Sequence, residues 1–327
     1  VLDTALVLVA HRAVSRIADS LRETDAALTS LARTHRDTVA AARTLTQHAV
    51  PTTVGVRAAG WARAVRRALA RLEAAQAALP AQLGGAAGTL ASSADDLGQE
   101  TAAALPTAFA RELGLAAPDA PWHTRRWPVT ELGDALVQTV DALGVVAADV
   151  AALSRTEVGE LAEGAGGGSS AMPQKRNPVD SVLIRSAALR APQLGATLHL
   201  ASALAVDERP DGAWHAEWPA LRELLRIALG ASAHAVRLTA GLRVDPDAVE
   251  RNLRLTGGRI VAERLGRVLV PLIGRERFAE LLAGDGELGP RIRALPEAAG
   301  LDVEGLLDPA AYTGLAGRIV DSLEEQS

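Results

Sequence analysis

Residues Gly166-Gly167-Gly168-Ser169-Ser170-Ala171-Met172-Pro173-Gln174-Lys175-Arg176-Asn177-Pro178 form the sharpest break in the chain. They fall between two long stretches, 131–156 and 182–204, in which apolar residues recur at three-to-four spacing, the signal of amphipathic helices. Alanine and leucine dominate on both sides and β-branched runs are short, so propensity agrees with periodicity. Towards the N-terminus, Leu2, Leu6, Val9, Val14, Ile17 and Leu21, continued by Leu28 and Leu31, trace one long helix that runs towards His35. Pro51 and Gly55 follow what reads as a second, short helix, and a further long one is expected over 58–78, ended by Pro80 and the glycines of 84–88. A helix near 97–113 and a proline-rich loop over 118–128 precede the break, and a last long helix over 218–242 follows a second one at 207–212. Long helices with short connections predict an all-α fold built on a long antiparallel helical bundle. From Val244 the helices shorten, with Asp245, Asp247 and Asp302 as caps and Gly274, Gly284, Gly286 and Gly289 as breakers. We expect a central bundle domain over 1–243 and a small C-terminal helical domain over 244–327.

Composition narrows the chemistry. The 327 residues carry 34 basic and 39 acidic side chains, a net charge of −5, and no basic tract marks a nucleic-acid partner. Cysteine is absent, which excludes disulfides, thiolate metal sites and cysteine nucleophiles. No apolar run is read as approaching the ~20 residues of a membrane span, and the opening residues do not resemble an export leader, so no membrane partner and a cytoplasmic location are expected. No histidine pair has metal-ligand spacing, and residues 84–88 lack the lysine and hydroxyl residue of a P-loop, so no metal or nucleotide cofactor is expected. A start at Val1, within an apolar pattern and without an initiator methionine, suggests a fragment whose true beginning lies upstream.

The 166–178 segment concentrates polar chemistry in a short space. Its glycines let backbone approach a ligand, its serines offer hydroxyls, Lys175 supplies a compact positive charge, and Asn177 offers both donor and acceptor. That inventory suits an anionic substrate, although composition alone fits a solvated helix connection better. The order of residues decides the matter. Gly-Ser-Ser-x-Met-Pro-x-Lys-x-Asn-Pro over 168–178 resembles the signature of the fumarase/aspartase superfamily at every defined position.

The resemblance implies a long helical bundle and an enzyme that adds or removes a group across a carbon–carbon bond beside a carboxylate, through a carbanion held as its aci-carboxylate form. It implies that Ser169, with Ser170 beside it, handles the proton, that Lys175 and Asn177 hold substrate carboxylates, and that Met172 borders the substrate. A homotetramer with active sites shared between subunits is also implied. Val1-Leu2-Asp3-Thr4-Ala5 resembles the end of a family motif, so the family's N-terminal domain is expected to be missing.

Within the superfamily, Arg43-Thr44-Leu45-Thr46-Gln47-His48-Ala49-Val50-Pro51 departs from most lyases, which show Thr-His in place of Thr44-Leu45. The glutamate that partners that histidine is replaced by Val182. Apolar residues at both positions point to a different charge design, because one buried partner left alone would be costly. This pattern is similar to that of the 3-carboxy-cis,cis-muconate cycloisomerases. So are Gln47-His48-Ala49, Gly60-Trp61, the 84–90 glycine run, Pro121-Trp122-His123-Thr124, Thr156-Glu157-Val158-Gly159-Glu160 and Trp214-His215-Ala216-Glu217-Trp218.

The likeness implies His48 as a substrate-binding or proton-handling histidine, with Thr46 and Gln47 as neighbouring donors, and His123, His215 and Arg209 as further substrate contacts. Arg125-Arg126-Trp127 replaces the usual Gln-Arg-Asp, so contacts there are expected to be altered. His11, His35, His199 and His234 are read as ordinary helical residues. The implied reaction closes 3-carboxy-cis,cis-muconate to 4-carboxymuconolactone, in the protocatechuate branch of the β-ketoadipate pathway. An adenylosuccinate- or argininosuccinate-lyase-like enzyme, or a non-catalytic structural relative, is the alternative.

Overall fold

A computed structural model of the chain describes residues 1–164, 166–168 and 171–323. In chain order it contains α1 (Leu2–Thr34), the strands β1 (Val39–Thr44) and β2 (Gln47–Thr53), α2 (Val54–Ala77), α3 (Ala91–Leu97), α4 (Gln99–Leu113) and α5 (Trp127–Leu153). The short strands β3 (Leu161–Ala162), β4 (Gly167–Gly168) and β5 (Arg176–Asn177) lead to α6 (Val179–Ala203), α7 (Gly212–Ala240) and β6 (Arg243–Val244). Beyond lie α8 (Pro246–Arg254), α9 (Ala262–Ile273), α10 (Arg275–Ala283), α11 (Leu288–Arg293), α12 (Val303–Leu307) and α13 (Ala316–Asp321). The fold is all-α, as the apolar periodicity predicts.

Three local expectations are corrected. The segment read as a second short helix is the antiparallel hairpin β1–β2, in which Val39 pairs with Thr53 and Arg43 with His48. Its β-branched residues Val39, Thr44, Val50, Thr52 and Thr53 favour the extended backbone. The helix expected over 97–113 is divided from α3 by Gly98, whose φ of 81° a helix cannot continue. Finally, α5 is long and apolar enough to cross a membrane by length and composition. Yet 56% of its apolar window is buried within the protein, and buried Val129, Leu132, Leu136, Val140, Leu143, Ala147 and Val150 repeat at core-helix spacing.

The chain divides into two compact units. One comprises residues 1–25, 63–151 and 163–241, the other 26–62, 152–162 and the chain from Leu242 onward. The described part of the segment expected as a separate C-terminal domain, 244–323 of 244–327, falls in a unit with 26–62 and 152–162.

In the first unit α6 and α7 pack along their lengths, burying Ile184, Leu198, Leu221, Leu224 and Leu238. Small residues bring α5 against α6: a Cβ on Gly133 would lie 2.6 Å from Leu198 Cδ1, and one on Gly144 2.8 Å from the Ala188 Cβ. In the second unit Ala41 of β1 is buried in one cluster with Leu253, Ile260, Leu265, Leu269 and Ile292, and α8 packs on β1.

Candidate active site

The signature segment is held at its base. Strands β4 and β5 pair Gly167 with Asn177 and Gly168 with Arg176, and Asn177 Nδ2 donates to the Gly167 carbonyl at 3.1 Å. A turn follows, in which the Lys175 N–H donates to the Met172 carbonyl at 3.0 Å, and both side chains are exposed. Ser169 and Ser170 lie outside the described residues. Close packing demands glycine here, since a Cβ on Gly167 would lie 2.6 Å from Val179 Cγ2, and one on Gly164 2.6 Å from the Gly241 carbonyl oxygen.

Glu163 closes this base. Its Oε1 accepts from the Ser181 N–H at 2.8 Å and the Ser181 hydroxyl at 2.6 Å, and its Oε2 accepts from the Asp180 N–H at 3.1 Å. A carboxylate on the first N–H groups of α6 satisfies donors that a helix leaves orphaned and opposes the positive end of its dipole. Asp180, itself buried, is gripped from α7: its Oδ1 lies 2.6 Å from His234 Nδ1 and accepts from Arg237 at 2.8 Å. The helix leaving the loop is therefore fixed by one residue before the loop and two from α7. His234, expected to be an ordinary helical residue, is one of the two.

His48 occupies the hairpin of the second unit. Leu45 and Thr46 form its two-residue turn at φ of 48° and 69°, the left-handed pair that such turns require and that asparagine and glycine usually supply. Thr46 and Gln47 are exposed at this tip, with Gln47 Nε2 3.5 Å from Thr46 Oγ1. Arg43, opposite His48 in the ladder, donates to both oxygens of buried Glu160 at 2.5 and 3.1 Å, and Asn252 Nδ2 donates to Glu160 Oε1 at 2.9 Å. Burial alone would raise the Glu160 pKa, but these hydrogen bonds and the charges of Arg43 and Arg57 hold it below the ordinary value. His48 is likewise lowered, first by burial and then by Arg43, against the opposing charge of Glu160, so its neutral form is favoured. Neither of the apolar replacements is buried in the chain: Leu45 is 96% exposed and Val182 52%. The cost of an unpaired buried group therefore does not apply to them within one protomer.

His123 and Arg209 come together around a cavity of about 510 Å³ in the first unit, lined also by Asp3, Gln82, Gly84 and Trp214. His123 is lowered from its ordinary pKa, first by burial and then by the positive charge of Arg209. Arg209 is tied through one nitrogen to the carbonyls of Gly85 and Ala86, each at 2.9 Å. Buried Arg126 donates to Glu217 at 2.5 and 3.0 Å and to Asp3 of the cavity lining at 2.8 Å, and stacks 4.9 Å from the centre of the Trp122 ring. Arg126, expected near altered substrate contacts, is thus committed to a buried ion network. His215 stands apart from the cavity lining: it is exposed, its Nδ1 lies 3.0 Å from the Asp211 carbonyl, and its ring packs against Trp214 and Trp218. Among the described residues no three His, Asp or Glu side chains group as a metal site.

Sequence reasoning missed Glu163, Gln82 and Asp180. Glu163 directly precedes the glycine run, the one local signal that could have singled it out.

Residues 1–192 match the lyase family. The chain is 50% identical to nitrosuccinate lyase of Streptomyces davaonensis, over 98% of this chain and 71% of that protein. It is 41% identical to 3-carboxy-cis,cis-muconate cycloisomerase of Pseudomonas aeruginosa, over 96% of this chain and 71% of that protein. The crystal structure of 3-carboxy-cis,cis-muconate lactonizing enzyme from Pseudomonas putida superposes with a TM-score of 0.90 at 35% identity, covering 99% of this chain and 75% of that one. The chain belongs to the lyase family of the fumarase/aspartase superfamily, and is an enzyme of that class related to its cycloisomerase branch.

Proposed function

We propose that this enzyme eliminates a leaving group from a 2-substituted succinate, with nitrosuccinate as the first substrate to test. The reading is carried by the 50% identity to nitrosuccinate lyase across nearly the whole chain, with Ser169, Lys175 and Asn177 of the signature all present. In the reaction a base removes a proton from the carbon beside a carboxylate. The C–H electron pair becomes the new C=C bond, the C–N bond breaks, and its electrons leave with nitrite, giving fumarate. Ser169 takes the proton, Lys175 neutralises the carboxylate on which charge accumulates, and His48, held neutral, serves as a second proton-handling group. A free serine is a weak base, so its alkoxide needs amides or a cation of the loop close by.

A second reading, lactonisation of 3-carboxy-cis,cis-muconate, is supported by the likeness to the two cycloisomerases and by Leu45 and Val182 in this chain, a pattern that resembles that branch. There a substrate carboxylate oxygen bonds to its own double bond, and the electrons displaced take up a proton at the neighbouring carbon. Both readings use the same anion-binding and proton-moving groups. We also propose a homotetramer with shared active sites, for which partial rescue of activity on mixing Ser169→Ala and His48→Gln subunits is the test.

Offered nitrosuccinate and carboxymuconate separately, the enzyme is expected to release nitrite and fumarate in equal amounts from the first. Loss of the conjugated diene of the second, without nitrite release from the first, would favour lactonisation. Inertness towards both would defeat the proposal.

A further inference from the structure

Gln82 lines the same cavity as His123 and Arg209, and its side chain holds a donor that the fold leaves unused. The residue is 4% exposed. Its backbone N–H donates to Thr4 Oγ1 and its carbonyl accepts from the same hydroxyl, both at 3.0 Å. Its side-chain Oε1 accepts from the Trp122 N–H at 3.1 Å. That last bond fixes the orientation of the amide, because exchanging oxygen and nitrogen would set two N–H groups against each other. Nε2 is then directed elsewhere, buried and without a partner among the described residues. Folded proteins retain few unpaired buried donors, because each forfeits its bonds to water and gains nothing in return.

The rest of the lining says what would pair with it. Asp3, the carboxylate bordering the cavity, is ion-paired with Arg126, and its Oδ1 accepts from Arg126 at 2.8 Å and from Trp214 Nε1 at 3.2 Å. The ring of His123 makes no hydrogen bond among the described residues, and only one of the terminal nitrogens of Arg209 is engaged, with the carbonyls of Gly85 and Ala86. Unspent hydrogen-bonding capacity is therefore mostly donor and partly cationic.

We propose that Gln82 is a substrate-binding residue whose Nε2 donates to an oxygen of an anionic group, a carboxylate, seated in this cavity beside His123 and Arg209. The inference rests on the polycarboxylate reading above and deepens it by naming a donor that sets specificity for an oxyanion.

The test uses Gln82→Glu, which preserves shape and the acceptor for Trp122 while replacing the donor with an oxygen. Calorimetric binding of succinate to the whole protein is expected to weaken by about tenfold or more, the scale of one hydrogen bond to a charged group. KM for nitrosuccinate should rise in parallel, with kcat little changed. Should the variant fail to fold, a crystal structure of the wild-type protein with succinate decides instead. A carboxylate oxygen within hydrogen-bond distance of Gln82 Nε2 is expected, and a water in that place with succinate elsewhere overturns the proposal. Wild-type succinate affinity in a folded Gln82→Glu variant, or no succinate binding by the wild type, also overturns it. Succinate binding that depends on Gln82 in a protein inert to nitrosuccinate and carboxymuconate would instead defeat the proposed reaction and leave this inference standing.

Discussion

One carboxylate oxygen of Glu163 accepts both the backbone N–H and the hydroxyl of Ser181, at 2.8 and 2.6 Å. The two stand eighteen positions apart in the chain, and the signature segment lies between them. The contact therefore fixes the span across which Lys175 and Asn177 are presented, and assigns Glu163 a positioning role. Glu163→Gln can still accept at one oxygen but turns an N–H towards the Asp180 N–H. We expect kcat to fall about tenfold, as for loss of one charge-assisted hydrogen bond, with KM and the thermal midpoint little changed. Partial recovery in Glu163→Asp, and faster hydrogen exchange over 164–178 in the glutamine variant, would separate positioning from general loss of fold.

The pH profile should report His48. Burial, then Arg43, lowers its pKa from the ordinary value, against Glu160. The acid limb of kcat/KM is accordingly expected below about 6.5, the value for an unperturbed histidine, and His48→Gln should abolish it. The same shift makes the unfolded chain bind the proton more tightly than the folded one. Its contribution to stability is thus complete above about 6.5 and is lost as pH falls through the folded pKa. NMR titration of the His48 ring checks both statements, and a midpoint above that of free histidine would contradict them.

Arg126 joins Asp3, Glu217 and the His123 carbonyl in one buried network. Arg126→Met leaves two carboxylates buried without their cation, a loss of about 3–5 kcal/mol. Thermal unfolding measured beside the double variant Arg126→Met/Glu217→Met should show the double variant recovering part of that loss. Equal midpoints for wild type and single variant would deny the network its structural role.

Thr46 is a β-branched residue at φ 69°, a backbone that costs of order 1–3 kcal/mol to hold. Thr46→Gly should raise stability by about 1 kcal/mol through relief of that strain. Lower turnover in the same variant would show that the strained turn serves the neighbouring His48.

Helical residues announced themselves through periodicity: α1, α2, α5, α6 and α7 each overlap the stretch that apolar spacing marked out. The β1–β2 hairpin did not, because alanines at 40–42 and 49 blur the alternation and Leu45-Thr46 gives no conventional turn signal. At the site, the order of residues over 168–178 was enough to single out Lys175 and Asn177. The meaning of Gln82 depends on Trp122, 40 positions away, and the ion network of Arg126 on Asp3 and Glu217, 123 and 91 positions away, so neither is legible in the local sequence. Local patterns reveal helices and loops, whereas a buried donor is recognised only once the fold shows which partners it has.

We propose above all that the loop hydroxyl of Ser169 moves a proton on a small polycarboxylate held by this helical scaffold. Nitrite release from nitrosuccinate, compared between the wild type and Ser169→Ala at saturating substrate, isolates that step. Equimolar nitrite and fumarate are expected from the wild type and a fall of about 10²–10⁴-fold in kcat for the variant, with succinate binding retained. A folded Ser169→Ala enzyme that releases nitrite at the wild-type rate would contradict it.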